Sequence, residues 1–256
     1  MVDPPAFVRA LLGATPLRQA KIIRLDNQNG KWRTEDADGN HDVFDAVIIA
    51  NGLDALSFTQ VSALPLAGAL GQIDWFPEAP APEAPAPTSA TAFGPYIAPA
   101  PQGGVVIGAT YAPIEIGRSP AFSQEATQTN IAAVRAKFPE LGAALTPERA
   151  RPRASIRCTT PDRSPIAGPV PDWTFYADAY DGLRHGLTTP YKDGQSQDGL
   201  YILTGLGSRG LVSAPLAAAM IAAEIAGAPA PVEAGVAEAL HPARFFIREL
   251  KKAKPQ

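Results

Sequence analysis

Residues 199–227 constrain this chain more than any other stretch. Gly199-Leu-Tyr-Ile-Leu-Thr204 reads as an apolar strand, it runs into Gly205-Leu-Gly-Ser-Arg-Gly-Leu211, and a helix rich in alanine follows from about Ser213 to Ala226, closed by Gly227. A strand, a turn with three glycines and then a helix points backbone N–H groups and the positive end of a helix dipole at a ligand. Glycines also serve simple close packing of helix on strand. Ala214, Ala217, Ala218, Ala219, Ala222 and Ala223 require a close neighbour under either reading. Gly205, Gly207, Ser208, Arg209, Gly210 and Leu211 are therefore candidate ligand contacts. Ser208 does not make a hydrolase nucleophile turn, because the surrounding glycines are not spaced as G-x-S-x-G.

A second strand has the same character. Ala46-Val-Ile-Ile-Ala50 runs into Asn51-Gly52, which predicts a strand buried on both faces and ending in a tight turn. Parallel sheets bury strands in this way and take ligands beyond the carboxyl ends. An ordinary core strand with a turn explains the same residues. The rest of the chain is mixed. Asp3-Pro4-Pro5 starts a short helix that Gly13 closes, with Phe7 and Leu11 on one face. Strands over 21–25 and 31–35, joined at Asn29-Gly30 and followed by a turn at Asp38-Gly39, form an antiparallel meander. Residues 77–88 hold five prolines and are expected to be an extended surface loop between strands around 72–75 and 91–93. Another apolar strand spans 105–109, and 123–138 is a helix with Ile131, Val134 and Phe138 on one face.

Arg149, Arg151, Arg153 and Arg157 fall at period two on a predicted strand, so all four share one side. Guanidinium groups in such a row repel one another unless acids or an anion face them. A solvated edge accounts for Arg149 and Arg151. Arg157 is different, since Ile156 and Cys158-Thr-Thr place it where the strand enters the interior. It is either an anion anchor or a structural ion-pair partner, for example of Asp162.

Composition excludes several classes. With 256 residues the chain is one large domain or two small ones, and 46% apolar residues suffice for a core. A formal net charge of −3 argues against a strongly electrostatic nucleic-acid binder, though a local basic patch is compatible with it. One cysteine, Cys158, excludes a disulfide framework and a four-cysteine zinc site, and it reads as a small buried thiol. His41, His185 and His241 lack ligand spacing, and for Asp162 after Pro161 a turn role competes with a catalytic one. No apolar run of about 18 residues is present, so no membrane span is expected. Met1-Val-Asp-Pro-Pro5 is not a secretory signal, and a cytoplasmic protein is expected.

Three blocks in order carry a family resemblance: Arg153 to Asp172, with Cys158-Thr-Thr-Pro-Asp162-Arg-Ser-Pro165; Gly199 to Pro215; and Leu240-His-Pro-Ala-Arg-Phe245. Val2–Leu12 and Phe44–Gly52 fit the same pattern. Together they resemble the C-terminal flavin domain of the bifunctional tRNA 5-methylaminomethyl-2-thiouridine biosynthesis proteins. More broadly they are similar to the D-amino-acid oxidase superfamily, with its glycine and sarcosine oxidases. The resemblance covers nearly the whole chain and is poorest around the proline-rich loop.

The resemblance implies an α/β fold of mixed α+β character: an incomplete Rossmann-like FAD-binding domain interleaved with an antiparallel-sheet substrate domain. Residues 1–60 and 199–228 would be the FAD-binding part, 61–198 the substrate-binding part, and 229–256 a C-terminal tail. FAD would be the cofactor, with Asn51, Gly52, Gly205, Gly207, Ser208, Arg209, Gly210 and Leu211 as contacts. The reaction implied is oxidation of the carboxymethylaminomethyl group on the wobble uridine of tRNA, which leaves an aminomethyl group for a partner methyltransferase. Arg157 matches the arginine that holds the substrate carboxylate. Two departures stand out. Residues 1–50 contain no G-x-G-x-x-G, so a further FAD-binding segment is expected upstream or from a separately encoded N-terminal half. Leu206 also replaces a histidine common in the turn. A glycine-oxidase-like small-amine oxidase would use the same Arg157 site, and a cofactor-free binding fragment is the alternative of a different class. A basic surface from Arg149, Arg151, Arg248, Lys251, Lys252 and Lys254 would favour tRNA.

Overall fold

The computed structural model describes residues 2–78, 87–100, 103–187 and 190–252. Most of the proline-rich loop (79–86) and Lys254 lie outside the described residues. In chain order, α1 (Pro4–Leu12) starts where Asp3 accepts the Ala6 amide at 3.1 Å and ends at Gly13, yet none of its residues is buried. β1 (Ile22–Gln28), β2 (Lys31–Asp36) and β3 (His41–Phe44) form the antiparallel meander. β4 (Val47–Ile49) leads into a 3-10 turn over Gly52–Ser57. β5 (Ala67–Phe76), β6 (Thr91–Ala92), β7 (Tyr96–Pro99) and β8 (Val105–Ile114) follow. Ser123 caps α2 (Gln124–Lys137), and Pro139 opens α3 (Pro139–Ala144). Next come β9 (Arg151–Thr159), β10 (Ile166–Pro171), α4 (Trp173–Ala179), capped by Asp172, and β11 (Ser196–Thr204). The chain closes with α5 (Gly210–Ile225), α6 (Ala234–Leu240) and α7 (Arg244–Lys252).

The chain divides into two compact units, one comprising residues up to 16 with 68–157, the other 17–67 with 158 onward. The sequence expectation grouped 158–198 with the central segment. Antiparallel pairing of β10 with β11 instead draws it to the second unit.

In the first unit, five strands run in the order β6-β7-β8-β5-β9. Phe76, Ile97, Val105, Ile107, Ile131, Val134, Leu141 and Leu145 form its core, where the apolar stripe of α2 packs on β8. The fully buried Asp74 accepts hydrogen bonds from Thr127 Oγ1 at 2.6 Å and Asn130 Nδ2 at 2.7 Å. The Gln72 side chain accepts the Ser123 amide at 2.8 Å, so β5 and the start of α2 are held in one register. Arg149 is not part of the arginine row. Pro147 turns Pro147–Arg149 into a 3-10 turn, and β9 begins only at Arg151.

In the second unit, β11 pairs parallel with β4 and antiparallel with β10. A parallel neighbour agrees with the parallel-sheet reading of 46–52, but burial of β4 on both faces is not observed. Ile48 is 46% exposed, because β4 is the last strand of its sheet among the described residues. α5 packs on β10 and β11 through Ala217 and Ile221, which explains its small residues. It begins at Gly210, three residues before the expected Ser213, because only Gly205 and Gly207 carry the left-handed backbone of the turn.

Candidate active site

Arg157 lies on β9 in the first unit. The neighbouring strand is β5, and beyond it β8, where Tyr111 pairs with Gly71 of β5. The arginine side chain crosses β5 at that glycine: a Cβ on Gly71 would sit 2.5 Å from Arg157 Nη1 and 3.3 Å from Cζ. The guanidinium then rests over the Tyr111 ring, 4.6 Å from its centroid. Tyr96 on β7 belongs to the same cluster. Burial raises its phenol pKa, the Arg157 charge lowers it and Tyr111 raises it.

Arg157 Nη1 is buried and has no hydrogen-bond partner, the one such side-chain nitrogen or oxygen among the described residues. Asp162 is not its partner. That carboxylate accepts from Arg244 at 3.0 and 3.1 Å and from Arg248, and the Arg244 guanidinium holds it well below the usual carboxylate range. The structural pairing of Arg157 with Asp162 is thereby overturned. A buried guanidinium N–H without an acceptor is costly, and an anion in front of it removes the cost.

In the second unit, Thr204 ends β11 and donates its hydroxyl to Gly52 O at 2.9 Å. This brings Asn51 and Gly52, past the end of β4, beside the turn from Gly205 to Leu211. Gly205 has φ 68°, and a Cβ there would sit 2.6 Å from Thr160 Cγ2, so the position accepts no side chain without displacement. The Gly207 amide donates to Cys158 O at 3.0 Å, and the Arg209 amide to Leu206 O at 3.3 Å. The amides of Ser208, Gly210 and Leu211 have no acceptor among the described residues. They open the 16-residue α5, and the space beside Gly207 and Gly52 is empty within 4 Å of where a Cβ would stand. Free amides, a helix dipole and open space form an anion-favouring cradle.

Ser208 and Arg209 are exposed, and their side chains make no hydrogen bond, so only their backbone contributes to the cradle. Cys158 is half-buried and accepts a contact from Thr204 Oγ1 at 3.4 Å. Among the described residues no cluster of three or more His, Cys, Asp or Glu side chains could hold a metal. A cavity of about 760 Å³ in the second unit, lined by Tyr176, Tyr180, Glu224 and His241, contains neither Arg157 nor any of the candidate cofactor contacts. Sequence reasoning missed Gly71, Tyr96 and Tyr111. A glycine inside a strand is a recognised sign of close approach, and Gly71 carried that signal; Tyr111 carried none.

Residues 1–224 match the model of the DAO family, FAD dependent oxidoreductase, and the chain belongs to that family. FAD is the family's cofactor. The unpaired amides and open space at Gly205–Leu211 are compatible with an electron-rich part of such a cofactor. Among the described residues, no second strand–glycine turn–helix offers a comparable cradle for its pyrophosphate.

The chain is similar to the tRNA 5-methylaminomethyl-2-thiouridine biosynthesis bifunctional protein MnmC of Magnetococcus marinus, 34% identical over 98% of this chain and 38% of that protein. It is equally similar to MnmC of Pseudomonas putida strain W619, at 34% identity over 99% of this chain and 39% of that protein. The chain thus spans about two fifths of the length of these relatives. Among solved structures, glycine oxidase from Geobacillus kaustophilus shares the fold with a TM-score of 0.68 and 18% identity, over 93% of this chain and 56% of that one. L-proline dehydrogenase from P. horikoshii gives a TM-score of 0.62 at 15% identity, over 98% and 59%.

Proposed function

We propose that this chain is the flavin-oxidoreductase part of a tRNA-modifying enzyme that acts on the carboxymethylaminomethyl group of the wobble uridine. The observation that carries the proposal is the buried, unpartnered Nη1 of Arg157. The substrate group is an N-substituted glycine, and its carboxylate matches a guanidinium fork that supplies two parallel N–H donors. The names of the relatives support this choice of substrate.

Bound FAD supplies the acceptor for two electrons from the glycine methylene beside the amine. The chain's own residues do the rest. Arg157 fixes the carboxylate, and Gly71 leaves the room for its side chain. The free amides of Ser208, Gly210 and Leu211 and the start of α5 would hold an electron-rich part of the cofactor and favour negative charge there. Addition of water to the oxidised C–N bond then leaves aminomethyl-uridine and releases the carboxymethyl part as an aldehyde acid.

Exposed cations suit tRNA phosphates: Arg151 and Arg153 in the first unit, and Arg248, Lys251 and Lys252 of α7 in the second. A methyltransferase is the partner that would consume the amine. Action on tRNA supports a cytoplasmic location. Among the described residues no helix is long and apolar enough to cross a membrane.

The test is single-turnover reduction of flavin-loaded protein by tRNA carrying the carboxymethylaminomethyl group, with nucleoside analysis of the product. Appearance of aminomethyl-uridine supports the reading, and reduction without change in the tRNA contradicts it. A second expected result concerns flavin content. The 256-residue polypeptide takes up FAD weakly and purifies nearly colourless, and it gains flavin when a dinucleotide-binding segment is supplied. Gly210→Val then lowers the affinity or the reduction potential of that flavin, as read by absorbance titration. An unchanged affinity and potential would assign the glycines to packing.

A further inference from the structure

We infer that Tyr111 is a specificity residue, the platform on which the planar nucleobase bearing the substrate group stacks. The inference rests on the substrate reading above and extends it from the carboxylate to the rest of the ligand. Arg157, Gly71 and Tyr111 form one row across β9, β5 and β8, with the guanidinium 4.6 Å from the centre of the tyrosine ring. That contact covers only part of the ring, for Tyr111 remains 57% exposed. An aromatic side chain this open, next to a guanidinium whose buried Nη1 lacks an acceptor, sets an apolar flat surface beside a candidate anion site. The cation takes the carboxylate, and the ring takes what the carboxylate is attached to.

The dimensions agree. In the substrate group three atoms separate the carboxyl carbon from the pyrimidine ring, a span of about 5 Å with ordinary bond lengths. A carboxylate held by Arg157 therefore leaves the base within reach of the Tyr111 surface. A small amino acid such as N-methylglycine has nothing to place there. Base–aromatic stacking contributes about 1–3 kcal/mol, equivalent to roughly 5- to 150-fold in affinity. The geometry thus separates two requirements: Arg157 serves any N-substituted glycine, and Tyr111 serves only one carried on a flat ring. Tyr96, whose phenol feels both Arg157 and Tyr111, completes the cluster without that exposure.

The experiment is a ligand-observed NMR titration of the full chain, which needs no flavin, with two probes: N-methylglycine and the nucleoside 5-(carboxymethylaminomethyl)uridine. The expected result for the natural sequence is tighter binding of the nucleoside. Tyr111→Leu lowers nucleoside affinity by about 5- to 150-fold and leaves N-methylglycine unchanged, while Tyr111→Trp retains both and shows that the sheet tolerates replacement. Equal loss of both probes in Tyr111→Leu would reduce the tyrosine to a prop for Arg157 and overturn the inference, as would no loss of either. Arg157→Ala is the separate control. Its loss of both probes supports the carboxylate reading. Retention of both overturns that reading while leaving the Tyr111 comparison to stand on its own result. If the natural sequence binds neither probe, both readings fail.

Discussion

Arg157→Ala lowers affinity for an N-substituted glycine by roughly 30- to 4,000-fold and leaves the melting temperature unchanged or slightly higher. The first half follows from chemistry: losing one partner of a desolvated, hydrogen-bonded charge pair costs about 2–5 kcal/mol, at about 1.4 kcal/mol per tenfold. The second half follows from the structure. A structural arginine has its partners in the folded chain, and its removal strands them. Arg157 Nη1 has no partner to strand, and its burial without an acceptor is itself a cost that alanine removes. Arg157→Lys keeps the charge and loses the fork, so it falls between the two. The measurements are ligand titration and a thermal melt on the same preparations. A melt lowered by many degrees with affinity retained would make the residue structural. Gly71→Ala is a companion with the opposite geometry: it keeps the arginine and fills the gap its side chain crosses. A shifted guanidinium then shows as weaker binding of the same ligand.

The parts of the molecule legible in the sequence are those set by neighbours along the chain. Asp3, Pro4 and Gly13 announced α1 because capping is a contact over three or four residues. The turn after β11 was legible because Gly205 and Gly207 take a backbone that other residues avoid. The apolar run into Asn51-Gly52 pointed to a parallel sheet, and β4 pairs parallel, though its partner β11 was not legible locally. What stayed hidden depends on sheet order. Residues 71, 111 and 157 meet only because β5 lies between β8 and β9, and no local pattern states that. Arg149 looked like Arg151 and Arg153 until Pro147 removed it from the strand, and the inward path that Gly71 leaves for Arg157 had no sign in the arginine row itself. The role of Asp162 was hidden for the same reason, since its partner stands 82 residues further on.

That partner makes Asp162 the position where a stability loss is expected to be largest. Asp162→Ala destabilises the second unit by about 3–5 kcal/mol at neutral pH, the cost of breaking a buried pair by removing one member. Arg244 is 5% exposed at its side chain and donates Nε and Nη2 to the two carboxylate oxygens at 3.0 and 3.1 Å. It also donates to Leu240 O and Ser164 O, so it cannot leave for solvent without breaking further bonds. Asp162 accepts the Ser164 amide at 3.1 Å as well, so the carboxylate joins the turn after β9 to α7. The pH dependence has a definite sign. Arg244 depresses the folded-state pKa of Asp162 below its unfolded value of about 4, so the proton favours the unfolded chain. The stabilisation is complete above that unfolded value and is lost as pH falls through it toward the folded one. Urea unfolding of the natural sequence and of Asp162→Ala therefore differs most at pH 7, and the difference narrows on acidification below about pH 4. Asp162→Asn loses nearly as much, because an amide offers Arg244 one oxygen and no charge. A difference under about 1 kcal/mol, the size ordinary for exposed ion pairs, or one that is flat across this range, would show that α7 is held by its apolar face and not by this carboxylate.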